Sequence, residues 1–270
     1  MITSVHNPKI KWVRSLQSDA RTRREEAAFA VEGVRLADEA LAAGWQARLV
    51  LFSADLAARG RSIVDGFAAQ GAPVEEVAEH VMRAASDTQT PQGILVVLAM
   101  RSLPLPDAPG LAFIPDAIRD PGNLGSMLRT AAAAGVEAVL IPPGNVDVYA
   151  PKVVRAAMGA HFRLPIASQS WDEISAYLGR AGLQLVLADA AGGEVYTSAD
   201  LRRPLAFVLG GEAEGASQEA RRLAQARLHI PMAGGVESLN AAAAAAVLLF
   251  EIARQRAWAG NKSPFPRQAG

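Results

Sequence analysis

"GLAFIPDAIRDPGNLGSMLRT", residues 110–130, decides the fold. An apolar run short enough for one buried strand gives way to a loop of glycine and small polar residues, and a helical stretch opens near Asn123. The same succession recurs downstream. Strand-like runs follow at "AVLIPP", "FRLPIA", "LQLVLADA", "LAFVLGG" and "ARLHIPM", with helical stretches starting near Pro151, Trp171 and Ser217. A last helix is expected from about Ser238 to Trp258. Six apolar strands separated by helices predict an α/β fold with a parallel sheet covered on both faces.

Upstream of this block stands "RSLPLPDAPG", residues 101–110, whose three prolines and lack of apolar period predict a short, stiff linker. Before it, "FAVEG", "VRLADEALAAG", "RLVLFS" and "GILVVLAM" alternate strand and helix patterns on a smaller scale. The expected organisation is a small α/β domain over residues 1–100, a linker over 101–110 and a second domain over 111–270.

Composition narrows the chemistry. Lysine plus arginine and aspartate plus glutamate tie at 27 each, so any nucleic-acid surface must be a local patch. With no cysteine there is no disulfide, thiolate nucleophile or zinc–thiolate site. The four histidines, His6, His80, His161 and His229, show no metal-ligand spacing, so no metal is expected. The opening "MITSVHNPKIKWVRS" has charges where a signal peptide needs an apolar core, and no run reaches membrane-spanning length. These features predict a cytoplasmic protein with no membrane partner.

In open parallel sheets ligands sit beyond the carboxyl ends of the strands. Three such ends carry loops of glycine and small polar residues: "DPGNLGSMLRT", "GGEAEGAS" and "PMAGGVESLN". No two glycines have GxG spacing, which removes the dinucleotide fingerprint. "GGEAEGAS" has P-loop glycine spacing, but Ala216 replaces the lysine, and Glu212 and Glu214 would repel phosphates. Acidic side chains beside glycine backbone suit a ligand with ribose hydroxyls and a positive centre.

At these loops the chain resembles the SpoU (TrmH-type) branch of the SPOUT RNA methyltransferases. "IRDPGNLGSMLRTAAAAG", "FVLGGEAEG" and "IPMAGGVESLNAAAAAAVLLFEIARQR" are similar to its three motifs, and "YAPKVVRAAMGAHFRLPI" to its middle segment. "SVHNPKIKWVRSL", "FAVEGVRLADEAL" and "TPQGILVVL" look like its substrate-binding extension. The resemblance implies methyl transfer from S-adenosylmethionine to a ribose 2′-hydroxyl of ribosomal or transfer RNA, with ribosomal RNA the expected substrate. It also implies a homodimer and a C-terminal segment threaded as a deep trefoil knot. The family usually carries valine and serine after "SLN", where this chain has Ala241 and Ala242.

The resemblance places the cofactor against Gly210, Gly211, Ile230, Met232 and Leu239, and assigns the reaction to Asn123, Arg129, Glu212, Ser238 and Asn240. Leu239 and Ile230 are equally good core residues, and Asn123, Ser238 and Asn240 equally good helix caps. Arginine stays protonated, so Arg129 is better suited to hold a substrate phosphate than to act as base. Phosphate contacts are expected from Lys9, Lys11, Arg14, Arg21, Arg23 and Arg24, with Trp12 among them as a stacking surface. Lys152 and Arg155 are secondary candidates beside the pocket. The competing expectation for the first segment is that Ile10, Trp12, Val13 and Leu16 pack into the small domain. Methylation of transfer RNA or of a base nitrogen, and a non-catalytic RNA-binding role in ribosome assembly, are the rival functions.

Overall fold

The computed structural model describes residues 1–190, 192–211 and 215–259, the side chains of residues 257–259 excepted. Asn7 caps the first helix, α1 (Pro8–Ser18), by accepting from the Lys9 N–H at 2.9 Å, and Pro8 occupies its first turn. Asp19 then caps α2 (Ala20–Glu26) through the Arg21 and Thr22 N–H groups. The chain continues through β1 (Ala28–Glu32), α3 (Val34–Ala42), β2 (Ala47–Ser53), α4 (Ala58–Ala69), β3 (Val74–Val77), α5 (Glu79–Ala85) and β4 (Ile94–Ala99). These four strands form one sheet in the order β1-β4-β2-β3, antiparallel except where β2 meets β3.

That sheet is covered on both faces, and the alternation along β1 shows it. Phe29 and Val31 turn toward α3 and α4, while Ala28 and Ala30 turn toward α1 and α5. On the second face Ile10, Val13 and Leu16 are fully buried, and each contributes roughly 1.5–3 kcal/mol of apolar burial. The apolar face of α1 is therefore core.

After β4 the chain enters a second compact unit at Leu103 and builds β5 (Leu111–Asp116), α6 (Pro121–Ala133) and β6 (Ala138–Ile141). Residues Asp147–Arg163, carrying α7 (Pro151–Ala157) and a 3-10 turn over Ala160–Phe162, then pack with the first unit. Within that unit the Trp45 and Phe162 rings meet at 5.3 Å and the Phe29 and Tyr149 rings at 4.9 Å. The division thus differs from a single break at residues 101–110, because seventeen residues of the middle segment supply core to the N-terminal strands.

From Leu164 onward the second unit resumes with β7 (Ile166–Ser168), α8 (Trp171–Ala181), β8 (Gln184–Ala188), β9 (Glu194–Val195), β10 (Leu205–Gly210), α9 (Gln218–Leu223), β11 (Ala226–His229) and α10 (Ala241–Ala259). Its seven strands are all parallel in the order β7-β6-β5-β10-β8-β11-β9. Beyond the six expected strands lies the short β9, whose two residues carry no apolar pattern. "FRLPIA" also differs from expectation, since Phe162 ends the 3-10 turn and the strand begins at Ile166. The linker is not free either: Leu105 packs against the core beneath α8, and the Tyr177 hydroxyl donates to Pro106 O at 2.8 Å.

Candidate cofactor and RNA site

At the carboxyl ends of β8, β10 and β11 the second unit holds a cavity of about 340 Å³. That volume suits a small-molecule site, and the place is the one open α/β sheets favour. Gly210, Gly211, Ile230, Met232 and Leu239, the five residues expected at the cofactor, all line it. Leu209, Leu228 and Leu248 add apolar wall, and Ala241 and Ala244 open the floor where larger side chains would intrude.

The two glycines cannot be replaced. A Cβ on Gly210 would overlap the backbone of Gly215 and Ala216, and one on Gly211 would lie 2.5 Å from the Ala117 carbonyl oxygen. Ala117 itself has φ +55°, a left-handed conformation that costs an alanine roughly 1–2 kcal/mol. The pocket wall is therefore bare backbone closely apposed to bare backbone. Such a wall offers backbone N–H and C=O groups of the kind that pair with the edge of a purine, and its leucines suit the ring faces. The residues present thus fit S-adenosylmethionine.

Asn123 and Asn240 meet beside this cavity. The Asn240 side chain donates to Asn123 Oδ1 at 3.1 Å, and its own Oδ1 accepts from the Ala242 and Ala243 N–H groups at 2.9 and 3.3 Å. The last helix consequently begins at Ala241, three residues later than the expected Ser238, and Ser238 stays outside it as a lining residue. Asp120 caps α6 in the same way, accepting from Asn123 N at 2.8 Å, and α6 packs against α10. Two helix N-termini, each with partial positive charge, thereby converge.

Arg129 stands apart from that junction. It lies six residues beyond Asn123, about 9 Å along the α6 axis and on a different face, exposed and outside the cavity lining. Among the described residues its side chain makes no hydrogen bond or ion pair. Glu212 lies outside the described residues.

Three charged lining residues, Asp189, Arg221 and Glu237, escaped the sequence reading. Asp189 follows β8 and is 8% exposed, with Arg221 Nη1 at 2.8 Å and Arg227 Nη1 at 3.5 Å. Arg221 also donates through Nε to Ala216 O at 3.2 Å, so it braces the wall from below. The signal was present in "LQLVLADA", because a charged residue directly after a buried strand falls at the ligand-bearing end.

Of the expected phosphate contacts, the first unit contradicts one. Arg23 is 4% exposed, bonds Asp147 at 2.6 Å and donates to Leu16 O at 2.6 Å, so it has no surface to offer RNA. Lys9 pairs with Glu75, Arg21 with Glu25 at 2.6 Å and Arg155 with Asp87 at 2.7 Å. Lys152 and Arg155 belong to α7 in this unit, not to the sheet that carries the cavity. Trp12 is partly buried with the Arg48 guanidinium 5.3 Å from its ring, which covers one stacking face. Lys11, Arg14 and Arg24 remain exposed. Among the described residues no cluster of His, Asp or Glu could hold a metal ion, and no helix is long and apolar enough to cross a membrane.

Comparison with known proteins agrees with this geometry. Mitochondrial rRNA methyltransferase 3A of Danio rerio is 35% identical over 90% of this chain and 67% of its own length. The 23S rRNA (guanosine(2553)-2'-O)-methyltransferase RlmP of Bacillus subtilis is 30% identical over 93% of this chain and 98% of its own. The AdoMet-bound rRNA methyltransferase of Sinorhizobium meliloti superposes with a TM-score of 0.85 at 32% identity, covering 94% of this chain and 97% of that one. An MRM3-like substrate binding domain matches residues 7–96, and the SpoU rRNA Methylase family matches residues 110–250. The chain belongs to the SpoU rRNA methylase family.

Proposed function

We propose that this protein methylates a ribose 2′-hydroxyl of ribosomal RNA with S-adenosylmethionine as donor. The observation that carries this is the convergence of the strand-end loops after β8, β10 and β11 on one cavity walled by Gly210, Gly211, Ile230, Met232 and Leu239. These residues would hold the adenosine. When bound, the sulfonium supplies an electrophilic methyl group, and neither a metal nor a covalent enzyme intermediate is required.

The chain's own task is to place the hydroxyl and ease the loss of its proton. Asn123 and Asn240, at the two converging helix starts, put amide groups and positive dipole ends where an alkoxide develops. Ser238 orients the same end of the cavity. Arg129, outside the lining and always protonated, holds the adjoining phosphate. Glu212 completes the proposed set. On the RNA side, Lys11, Arg14 and Arg24 are the first unit's phosphate contacts.

A homodimer is part of the same proposal. Ala243, Val247, Phe250 and Arg254 form one exposed stripe of α10, with Val247 37% and Phe250 43% exposed. Light scattering should give twice 28.3 kDa, and a 28.3 kDa particle at micromolar concentration would overturn it. We also propose the deep trefoil knot of the SPOUT fold for the second unit, supported by the likeness to the AdoMet-bound structure. Stretching the unit from its ends should stop short of its full contour length. A cytoplasmic location is proposed with it.

Mass spectrometry of digested ribosomal RNA, from cells with and without the protein, tests the function. One 2′-O-methylated nucleoside should vanish in its absence. Loss of a methylated base, or of a mark in transfer RNA, would overturn the assignment.

A further inference from the structure

Asp116 ends β5 in the middle of the parallel sheet, in register with Gly210 of β10. It is 1% exposed, and neither the cavity lining nor the proposed reaction uses it. Its Oδ2 accepts from the Ser217 N–H at 2.6 Å, while Oδ1 has no hydrogen-bond partner. Burial pushes this carboxyl above the usual range, opposed by the hydrogen bonds from Ser217. An apolar residue would suit so dry a place better unless the one bond it makes matters.

That bond falls at a telling point. Ser217 is where the loop after β10 enters α9, and its hydroxyl accepts from Ala220 N at 3.2 Å as the helix cap. Immediately before it come Gly215 and Ala216, which line the cavity. The loop's start is fitted against the residue after Asp116, since Gly211 has room for no Cβ beside the Ala117 carbonyl. Both feet of the loop therefore rest on the end of β5, one by steric fit and one by the carboxylate. Arg221, bonded to Ala216 O and to Asp189, braces the same foot from the other side.

We propose that Asp116 is a positioning residue for the cofactor cavity: by holding Ser217 N it sets the spacing between the two glycine-lined sides of the wall. The proposal rests on the cavity taking S-adenosylmethionine. Without the carboxylate the second foot is free to shift, and backbone groups aimed at the ligand lose their register.

Calorimetry with S-adenosylmethionine, on the full chain, tests it. Asp116→Leu removes the acceptor and leaves the Ser217 N–H unpaired, so a purely structural role predicts a lower melting temperature with unchanged binding by the folded protein. Positioning predicts binding weakened ten- to a hundredfold at a temperature where the variant is fully folded. Asp116→Asn keeps an oxygen acceptor and should restore affinity to within about threefold. In turnover, KM for S-adenosylmethionine should rise while kcat at saturation and KM for RNA hold.

Should Asp116→Leu fail to fold, Ser217→Pro removes the donor instead, and the Ser217 φ of −60° already suits proline. Ser217→Ala, which keeps the N–H and loses only the cap, is its baseline. Binding by Ser217→Pro should fall tenfold below that baseline. Equal affinity in Asp116→Leu and the original, or in the two Ser217 variants, overturns the proposal alone. No binding by the original chain would overturn the cavity assignment itself, and this proposal with it.

Discussion

Asn240 donates its side-chain amide to the side-chain carbonyl of Asn123 at 3.1 Å, joining positions 117 residues apart. The bond ties the start of the last helix to the start of the first helix of the second unit. Asn240 is also the cap of its own helix, so one side chain serves packing and site at once.

These two roles can be separated. Asn240→Ser keeps a capping oxygen but is too short to reach Asn123. Thermal stability should stay within about 0.5 kcal/mol, because serine and asparagine cap almost equally well. Turnover should fall about tenfold, roughly 1.4 kcal/mol of lost transition-state stabilisation. A melting curve and a single-turnover assay on one preparation check both.

Cofactor and RNA roles should part cleanly between two other residues. Leu239 lines the cavity at 38% exposure, and Leu239→Asp sets an unpaired carboxylate where ligand must exclude water. Calorimetry should show S-adenosylmethionine binding at least tenfold weaker. Arg129→Ala should bind the cofactor normally and lose turnover. Equal loss of cofactor affinity in both would contradict the assigned roles.

RNA affinity should depend on Lys11, Arg14 and Arg24 but not on Arg23. Reversing the first three to glutamate should weaken binding and lower the log–log salt slope by about 2–3, at roughly 0.7–0.9 per phosphate contact. Asp147→Ala leaves Arg23 buried and uncompensated, and should destabilise the first unit by about 3 kcal/mol. Titrations at several salt concentrations, beside denaturant melts, distinguish the two effects.

Acid should weaken the first unit through His161. The ring is fully buried, with Nε2 2.8 Å from Val148 O and Nδ1 without a partner, and burial lowers its pKa from 6.5 to about 4. Between those values the unfolded chain takes up a proton that the folded one refuses. Stability contributed here is therefore complete above about pH 6.5 and falls as pH drops toward 4. The loss approaches about 3 kcal/mol, at 1.36 kcal/mol per unit. His161→Gln should flatten this part of the stability–pH curve measured by urea melts.

The parallel sheet was legible because its strands are buried on both faces and read as unbroken apolar runs, as "LAFVLG" does. The cavity was legible because glycine loops recur at strand ends. What stayed hidden is non-local. Nothing in "RTRRE" tells that Arg23 turns inward, since its partner Asp147 lies 124 residues away. The face of α1 was ambiguous for a related reason: Lys11 and Arg14 alternate with Ile10, Val13 and Leu16, so one helix presents charge outward and core inward. β9 was missed because two residues hold no period.

The return of Asp147–Arg163 to the N-terminal strands bears on how such proteins can be recombined. A cut at the proline-rich segment looks like a natural joint for exchanging one half against another. The fragment 1–102 would leave Phe29 and Trp45 without the Tyr149 and Phe162 rings that cover them, and Arg23 with a buried charge and no counter-ion. Inheritance of the two halves is thus linked by seventeen residues encoded far from the joint. A functional graft has to carry the donor's middle segment along with its first hundred residues.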